Sequence, residues 1–299
     1  DVVALVQQRL GELGADEAGD AGDQVHGATL DGPTGADPLV ASVPVTRRRL
    51  LALAALVVVG PLVVLGVEVQ LARSSGGRLD DEVGERPRQR EVRAGDAPLH
   101  VVWLGDSTTT GVGAGAFAES MAWRVAEGLT DGPVLLSVLG RSGDQVHEVL
   151  DEQLPELPSV LVPGIPHVVL VSIGANDVTA LTRRPTFEAR YLDLVDGIEA
   201  VLADAGVDGR LVLVGIPDIG TAPRLLPPLR QVAGFRGAQL DDEIAAVARR
   251  RGLHHVDLAA RTSRTFSSDP DRYFSADEYH PSSDGHGVWA AAVLASLEP

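Results

Sequence analysis

The chain has 299 residues, 44% of them apolar, enough for a hydrophobic core of ordinary enzyme size. Forty-two acidic residues against 25 basic ones leave a net charge of -17, which repels phosphates over most of the surface and argues against a nucleic-acid partner. Every basic residue is arginine and cysteine is absent, so a Schiff-base lysine, a P-loop lysine, a thiolate nucleophile, a disulfide and a cysteine metal site are all excluded.

Residues 1–46 carry eight acids and a single arginine, Arg9, among Gly, Ala and Asp clusters, a composition that predicts an acidic, disordered segment. Arg47, Arg48 and Arg49 then precede eighteen uncharged residues, Leu50 to Val67, a run long enough to span a bilayer. A core helix of that length would carry a polar stripe, and Gly60-Pro61 is better tolerated in lipid. No small-x-small cleavage site follows, so the expectation for 47–72 is a single-pass membrane anchor rather than a removed signal peptide. The arginine triplet favours its own side as cytoplasmic, which places the remainder outside the cytoplasm. Residues 73–97, rich in Arg, Asp, Glu, Gly and Ser, read as a solvated linker.

From Pro98 the pattern changes to short apolar runs separated by amphipathic stretches. Leu99–Gly105, Pro133–Gly140, His167–Gly174, Arg210–Ile216 and Leu253–Ala259 read as strands. Between them the helical period is clearest at Phe187, Tyr191, Leu194, Ile198 and Val201, with further helices expected over 116–129, 145–157, 237–251 and 286–297. Continuous apolar strands alternating with helices indicate an α/β domain, 98–299, whose parallel sheet is covered on both sides. Ligands bind such sheets beyond the carboxyl ends of the strands, so those positions are where chemistry is sought.

After the first strand come Gly105, Asp106 and Ser107. A serine one step past a strand and opening a helix presents its hydroxyl at the sheet edge as a nucleophile would, although an ordinary Ser/Thr/Gly turn has the same composition. Gly111-Val112-Gly113-Ala114-Gly115 lacks the spacing of a dinucleotide fingerprint. The second strand is followed by Ser142 and Gly143, the third by Gly174, Ala175, Asn176 and Asp177. A glycine N–H and an asparagine amide are donors suited to an oxyanion, and equally to a turn or cap; Asp177 is assigned to local capping. Near the end, Asp277 stands three residues before His280, close enough on a tight turn to reach Nδ1 and fix the tautomer of a general base, with Pro281 stiffening the turn. His280 and His286 with Asp284 match no recognised metal spacing, and no metal is expected.

Taken together, these four segments resemble the SGNH hydrolases, the GDSL esterase/lipase family, over roughly Pro98 to the C-terminus. The resemblance implies Ser107 as nucleophile, His280 as general base, Asp277 as its orienting carboxylate, and the Ser107 N–H, Gly143 N–H and Asn176 amide as oxyanion hole. It also implies a three-layer, flavodoxin-like α/β/α sandwich with a five-stranded parallel sheet. Thr108 replaces the leucine of the family's name, and Val138 stands where asparagine is common. The function expected is hydrolysis of carboxylic esters of a lipid, an acylated glycan or a small molecule through an acyl-enzyme, with no cofactor. An O-acyltransferase or deacylase of envelope glycans or lipids would use the same site, and a membrane-anchored binding module would retain only the fold. Leu225, Leu226 and Leu229, after the fourth strand, read as part of a structural loop that could equally line an acyl pocket.

Overall fold

The computed structural model describes residues 89–96 and 98–298. The acidic segment, the expected span at 50–67 and most of the linker lie outside them, and among the described residues no helix is long and apolar enough to cross a membrane.

All five apolar runs form strands, and a sixth joins them. In chain order they are β1 (Gln89–Arg93), β2 (Leu99–Gly105), β3 (Val134–Val138), β4 (His167–Ser172), β5 (Gly209–Val214) and β6 (His254–Val256). The principal helices are α1 (Ser107–Thr110), α2 (Met121–Gly128), α3 (Ala175–Thr179), α4 (Arg184–Asp204), α5 (Leu229–Arg251), α6 (Leu258–Ser268) and α7 (Ser283–Leu297). The sheet order is β1-β3-β2-β4-β5-β6, parallel from β3 to β6. Val101, Val102, Trp103, Leu104, Val169 to Val171 and Val212 to Val214 are fully buried, as strands covered on both faces must be. The helices fall into two groups, α2 with α6 and α7, and α4 with α5 and the helical stretch from Val146 to Ser159.

Three expectations need correction. The sheet has six strands rather than five and is mixed, because β1 pairs antiparallel with β3 inside the stretch read as linker. Its sequence, QREVR, carries no apolar run; it is held by backbone pairing, by Gln89 Nε2 donating to Val160 O (2.9 Å) and by Arg93 donating to Thr130 O (2.6 Å) and Gly132 O (2.9 Å). Charged residues on an edge strand also discourage further pairing. The last strand ends at Val256 instead of Ala259, because Asp257 accepts the N–H of Ala260 at 2.8 Å and caps α6. Finally, α5 begins at Leu229, eight residues earlier than 237, so Leu229 is helical while Leu225 and Leu226 precede the helix.

The last helix is tied to the glycine loop behind Ser107 by a buried histidine. His286 Nδ1 accepts the N–H of Met121 (3.2 Å) while Nε2 donates to Val112 O (3.0 Å), a pattern only the neutral ring satisfies. Burial, the larger cause, and the charges of His280 and Arg124 lower its pKa from 6.5 to about 4. The folded state therefore binds the proton less readily than the unfolded one, so the stability contribution is complete above the unfolded value and is lost as pH falls toward the folded one. The advantage of the native chain over His286→Gln, whose amide does not titrate, is expected to shrink by on the order of 3 kcal/mol between about pH 7 and pH 4. Urea unfolding at the two pH values measures it, and a difference independent of pH would refute the neutral-ring account.

Candidate active site

The nucleophile candidate is positioned by the way β2 ends. Gly105 has φ +152, and a Cβ there would lie 2.1 Å from Ser172 O, so the strand turns where only glycine fits. Asp106 then caps α1, its Oδ1 accepting the Thr108 N–H (3.0 Å) and hydroxyl (2.9 Å). Burial pushes the Asp106 carboxyl up to about 6 against those two hydrogen bonds. Ser107 follows as the first residue of α1, 7% exposed, its hydroxyl at the carboxyl edge of the sheet.

The Asp277 to His280 turn closes on this hydroxyl from the other end of the chain. It is pinned by Ser275 N donating to His280 O (2.8 Å) and by an isolated bridge between Phe274 and Pro281. Asp277 Oδ1 accepts from the Ser275 hydroxyl (2.7 Å) and the N–H groups of Tyr279 and His280 (both 2.9 Å), which leaves Oδ2 facing His280 Nδ1 at 2.5 Å. Burial by itself would raise the Asp277 carboxyl, but the hydrogen bond and charge of His280 with the two N–H groups hold it well below the usual carboxylate range. An ionised Asp277 keeps the proton on Nδ1, so Nε2 presents its lone pair to Ser107 Oγ, 3.0 Å away. Tyr279, partly buried, packs edge-on against the imidazole with centroids 5.3 Å apart.

The second and third segments meet beside this chain of contacts. Gly143 has φ +91, and the Asn176 amide donates to Asp144 O at 2.9 Å, which orients the side chain; an amide nitrogen carries a second N–H for a substrate oxygen. Asp177 does cap, though not locally: its Oδ2 accepts the N–H of Val146, fastening the two segments together (3.0 Å). Sequence reasoning missed Gln153. Its buried amide accepts from Gly105 N (2.9 Å) and donates to Gly105 O (2.7 Å) and Asp144 Oδ2 (2.7 Å), clamping the end of β2 to the Gly143 loop. A polar residue at a buried helical position was the only signal for it. His286 and Asp284, weighed as metal ligands, are engaged elsewhere, Asp284 with Arg272 at 2.7 Å.

Two cavities adjoin Ser107 and His280. The larger, about 360 Å³, includes Ser142, Gly143 and Asn176 and has an apolar wall from Leu225, Leu229 and Val232. The smaller, about 40 Å³, lies toward Phe266, Phe274 and Trp289. Leu225 and Leu229 thus face the site, which the reading as a structural loop did not favour, whereas Leu226 is exposed. Such an arrangement suits attack by an activated hydroxyl on a carbonyl whose oxygen is met by fixed donors. Asn176→Ala is expected to lower kcat by ~10²–10³ with little change in KM, because the donor matters most once the oxygen is charged. Steady-state kinetics on one ester checks this, and a raised KM with kcat intact would make Asn176 a ground-state contact.

The sequence profile described as the GDSL-like Lipase/Acylhydrolase family matches residues 103–288. The chain is 30% identical over 221 residues to the GDSL-like esterase Rv1075c of Mycobacterium tuberculosis, covering 72% of this chain and 66% of that protein, just under two thirds of its length. Among solved structures it is similar to a lipase from a goat rumen metagenome (20% identical, 67% of this chain and 97% of the other, TM-score 0.50). It is also similar to a Bacillus subtilis protein (15% identical, 67% and 56%, TM-score 0.51). At these identities the structural likeness shows the fold.

Proposed function

Because the chain belongs to the GDSL-like lipase/acylhydrolase family, a family of carboxylic ester hydrolases, we propose that it is a serine esterase acting through an acyl-enzyme, with Ser107, His280 and Asp277 as its catalytic residues. The observation that carries this reading is the unbroken series of contacts from Ser107 Oγ to His280 Nε2 (3.0 Å) and from Nδ1 to Asp277 Oδ2 (2.5 Å).

In the proposed reaction Ser107 Oγ attacks the ester carbonyl carbon as Nε2 takes its proton. The negative oxygen formed accepts from the Ser107 and Gly143 N–H groups and the Asn176 amide. The bond to the alcohol then breaks, and the imidazolium returns its proton to the departing oxygen. A water molecule attacks the acyl group while Nε2 again takes a proton, the acid leaves, and the proton goes back to Ser107. Asp277 accepts the Nδ1–H throughout and offsets the charge on the ring. The scheme requires neither a metal nor an organic cofactor.

Mass spectrometry of the protein mixed briefly with a p-nitrophenyl ester tests it. An acyl adduct on the peptide containing Ser107, formed with a burst of p-nitrophenol, is the expected result. Ester turnover with no adduct and no burst would overturn the acyl-enzyme route if a fluorophosphonate, which loses fluoride to leave a slowly hydrolysed phosphonyl group on serine, also left Ser107 unmodified.

A further inference from the structure

The larger cavity has a charge character opposite to that of the protein. The chain carries a net charge of -17, yet among the described residues no Asp or Glu lines this cavity, while Arg224 and Arg236 both do. The arginines of α4 and α5 are of two kinds: three have an acid across the pair, and Arg190, Arg230, Arg236 and Arg249 have none among the described residues. Arg250 pairs with Glu188 at 2.8 Å, Arg251 pairs with Asp196 at 3.0 Å, and Arg184 pairs with Glu243, all between α4 and α5. Arg236, in the same α5, has no carboxylate partner among the described residues: its Nη2 donates to Thr182 O at 2.9 Å, and its Nε is shielded from water with no hydrogen-bond partner. A guanidinium carries five N–H donors in a fixed fork, more than Thr182 O takes up, and that fork matches the oxygens of a carboxylate or phosphate.

The rest of the cavity defines what must accompany that anion. Leu229, Val232, Ala233 and Arg236 follow one another at helical spacing along one face of α5, and all four line the cavity. With a rise of ~1.5 Å per residue, Arg236 lies about 10 Å along this wall from Leu229. A ligand that fills the space therefore has an apolar stretch against Leu225, Leu229 and Val232 and a negative group at Arg236. The repulsion of distant surface acids does not forbid this, since charges beyond about 10 Å are screened at ordinary salt.

Resting on the esterase reading above, we infer that the larger cavity selects esters that bear an anionic group beside an apolar chain, with Arg236 as the specificity-determining residue and Arg224 as a second cation at the wall. The anion is either a carboxylate at the far end of the acyl chain or a phosphate on the alcohol, and the two sources are separated by experiment. The full chain is assayed for kcat/KM on p-nitrophenyl hexanoate against mono-p-nitrophenyl adipate, and on dibutanoylglycerol against dibutanoylglycerol phosphate, all as monomers. The anionic member of one pair is expected to be preferred about 10- to 100-fold, the worth of one charge-assisted hydrogen bond. That pair identifies the source. The preference is expected to fall with added salt, to vanish in Arg236→Gln and to survive in part in Arg236→Lys, which keeps the charge. Neutral members preferred in both pairs, or a ratio unchanged in Arg236→Gln, would overturn the inference while leaving the esterase intact. Absence of Ser107-dependent turnover of all four esters would overturn both.

Discussion

Ser107→Ala is expected to abolish covalent labelling by a fluorophosphonate and to bring ester turnover to near background. The substitution removes the atom that His280 Nε2 is placed to activate, 3.0 Å away, and the neighbouring hydroxyls are engaged elsewhere: Thr108 Oγ1 is bonded to Asp106 Oδ1 (2.9 Å) and Thr109 Oγ1 donates to Asp106 O (2.7 Å). Loss of a triad member leaves only the residual catalysis of the oxyanion donors and binding, ~10³–10⁴ over water in comparable sites. The fold is expected to survive, because the Ser107 hydroxyl caps no helix, and its backbone O still accepts from Val112 N (3.1 Å). Labelling followed by gel fluorescence, with circular dichroism as a control, decides it. A folded Ser107→Ala protein that still turns over esters at the native rate would end the serine-hydrolase reading.

Asp277→Asn is expected to cost kcat about 10⁴-fold while leaving labelling slow but detectable, the loss known for the same change in an unrelated triad. Asparagine can keep an oxygen at the Oδ1 position, where the Ser275 hydroxyl and the Tyr279 and His280 N–H groups donate, so the turn is retained. An NH₂ group then takes the place of Oδ2, and as a donor it forces His280 Nδ1 to accept. The ring proton moves to Nε2, which then faces the Ser107 hydroxyl with a donor instead of a lone pair. Asp277→Ala distinguishes this from mere loss of charge: it frees the imidazole to change tautomer and disrupts the turn as well, so its melting temperature is expected to fall where that of Asp277→Asn does not. Equal kcat in the native and Asp277→Asn proteins would remove Asp277 from the mechanism.

The features legible in the amino-acid sequence are those whose physical cause is local. The five parallel strands announce themselves as apolar runs because both faces of each are covered, and Trp103, Val212, Leu213 and Val214 are fully buried as that pattern demands. The Asp277 to His280 spacing is a property of one tight turn, and Gly105 and Gly143 mark positive φ values that their own backbone adopts. What depends on the tertiary structure involves partners far apart in the chain. The strand β1 is made by main-chain hydrogen bonds to β3, which leave no side-chain pattern, and Gln153 acts on Gly105, 48 residues away. Asp257 has a capping residue's chemistry, but the apolar run around it reads on through to Ala259, and only the packing of Leu258, Thr262 and Phe266 shows where strand gives way to helix. The chemistry of the large cavity is hidden for the same reason. Arg236 is one of 25 arginines in the sequence, and only the packing of α5 sets it at the cavity wall while Arg184, Arg250 and Arg251 meet acids across α4 and α5.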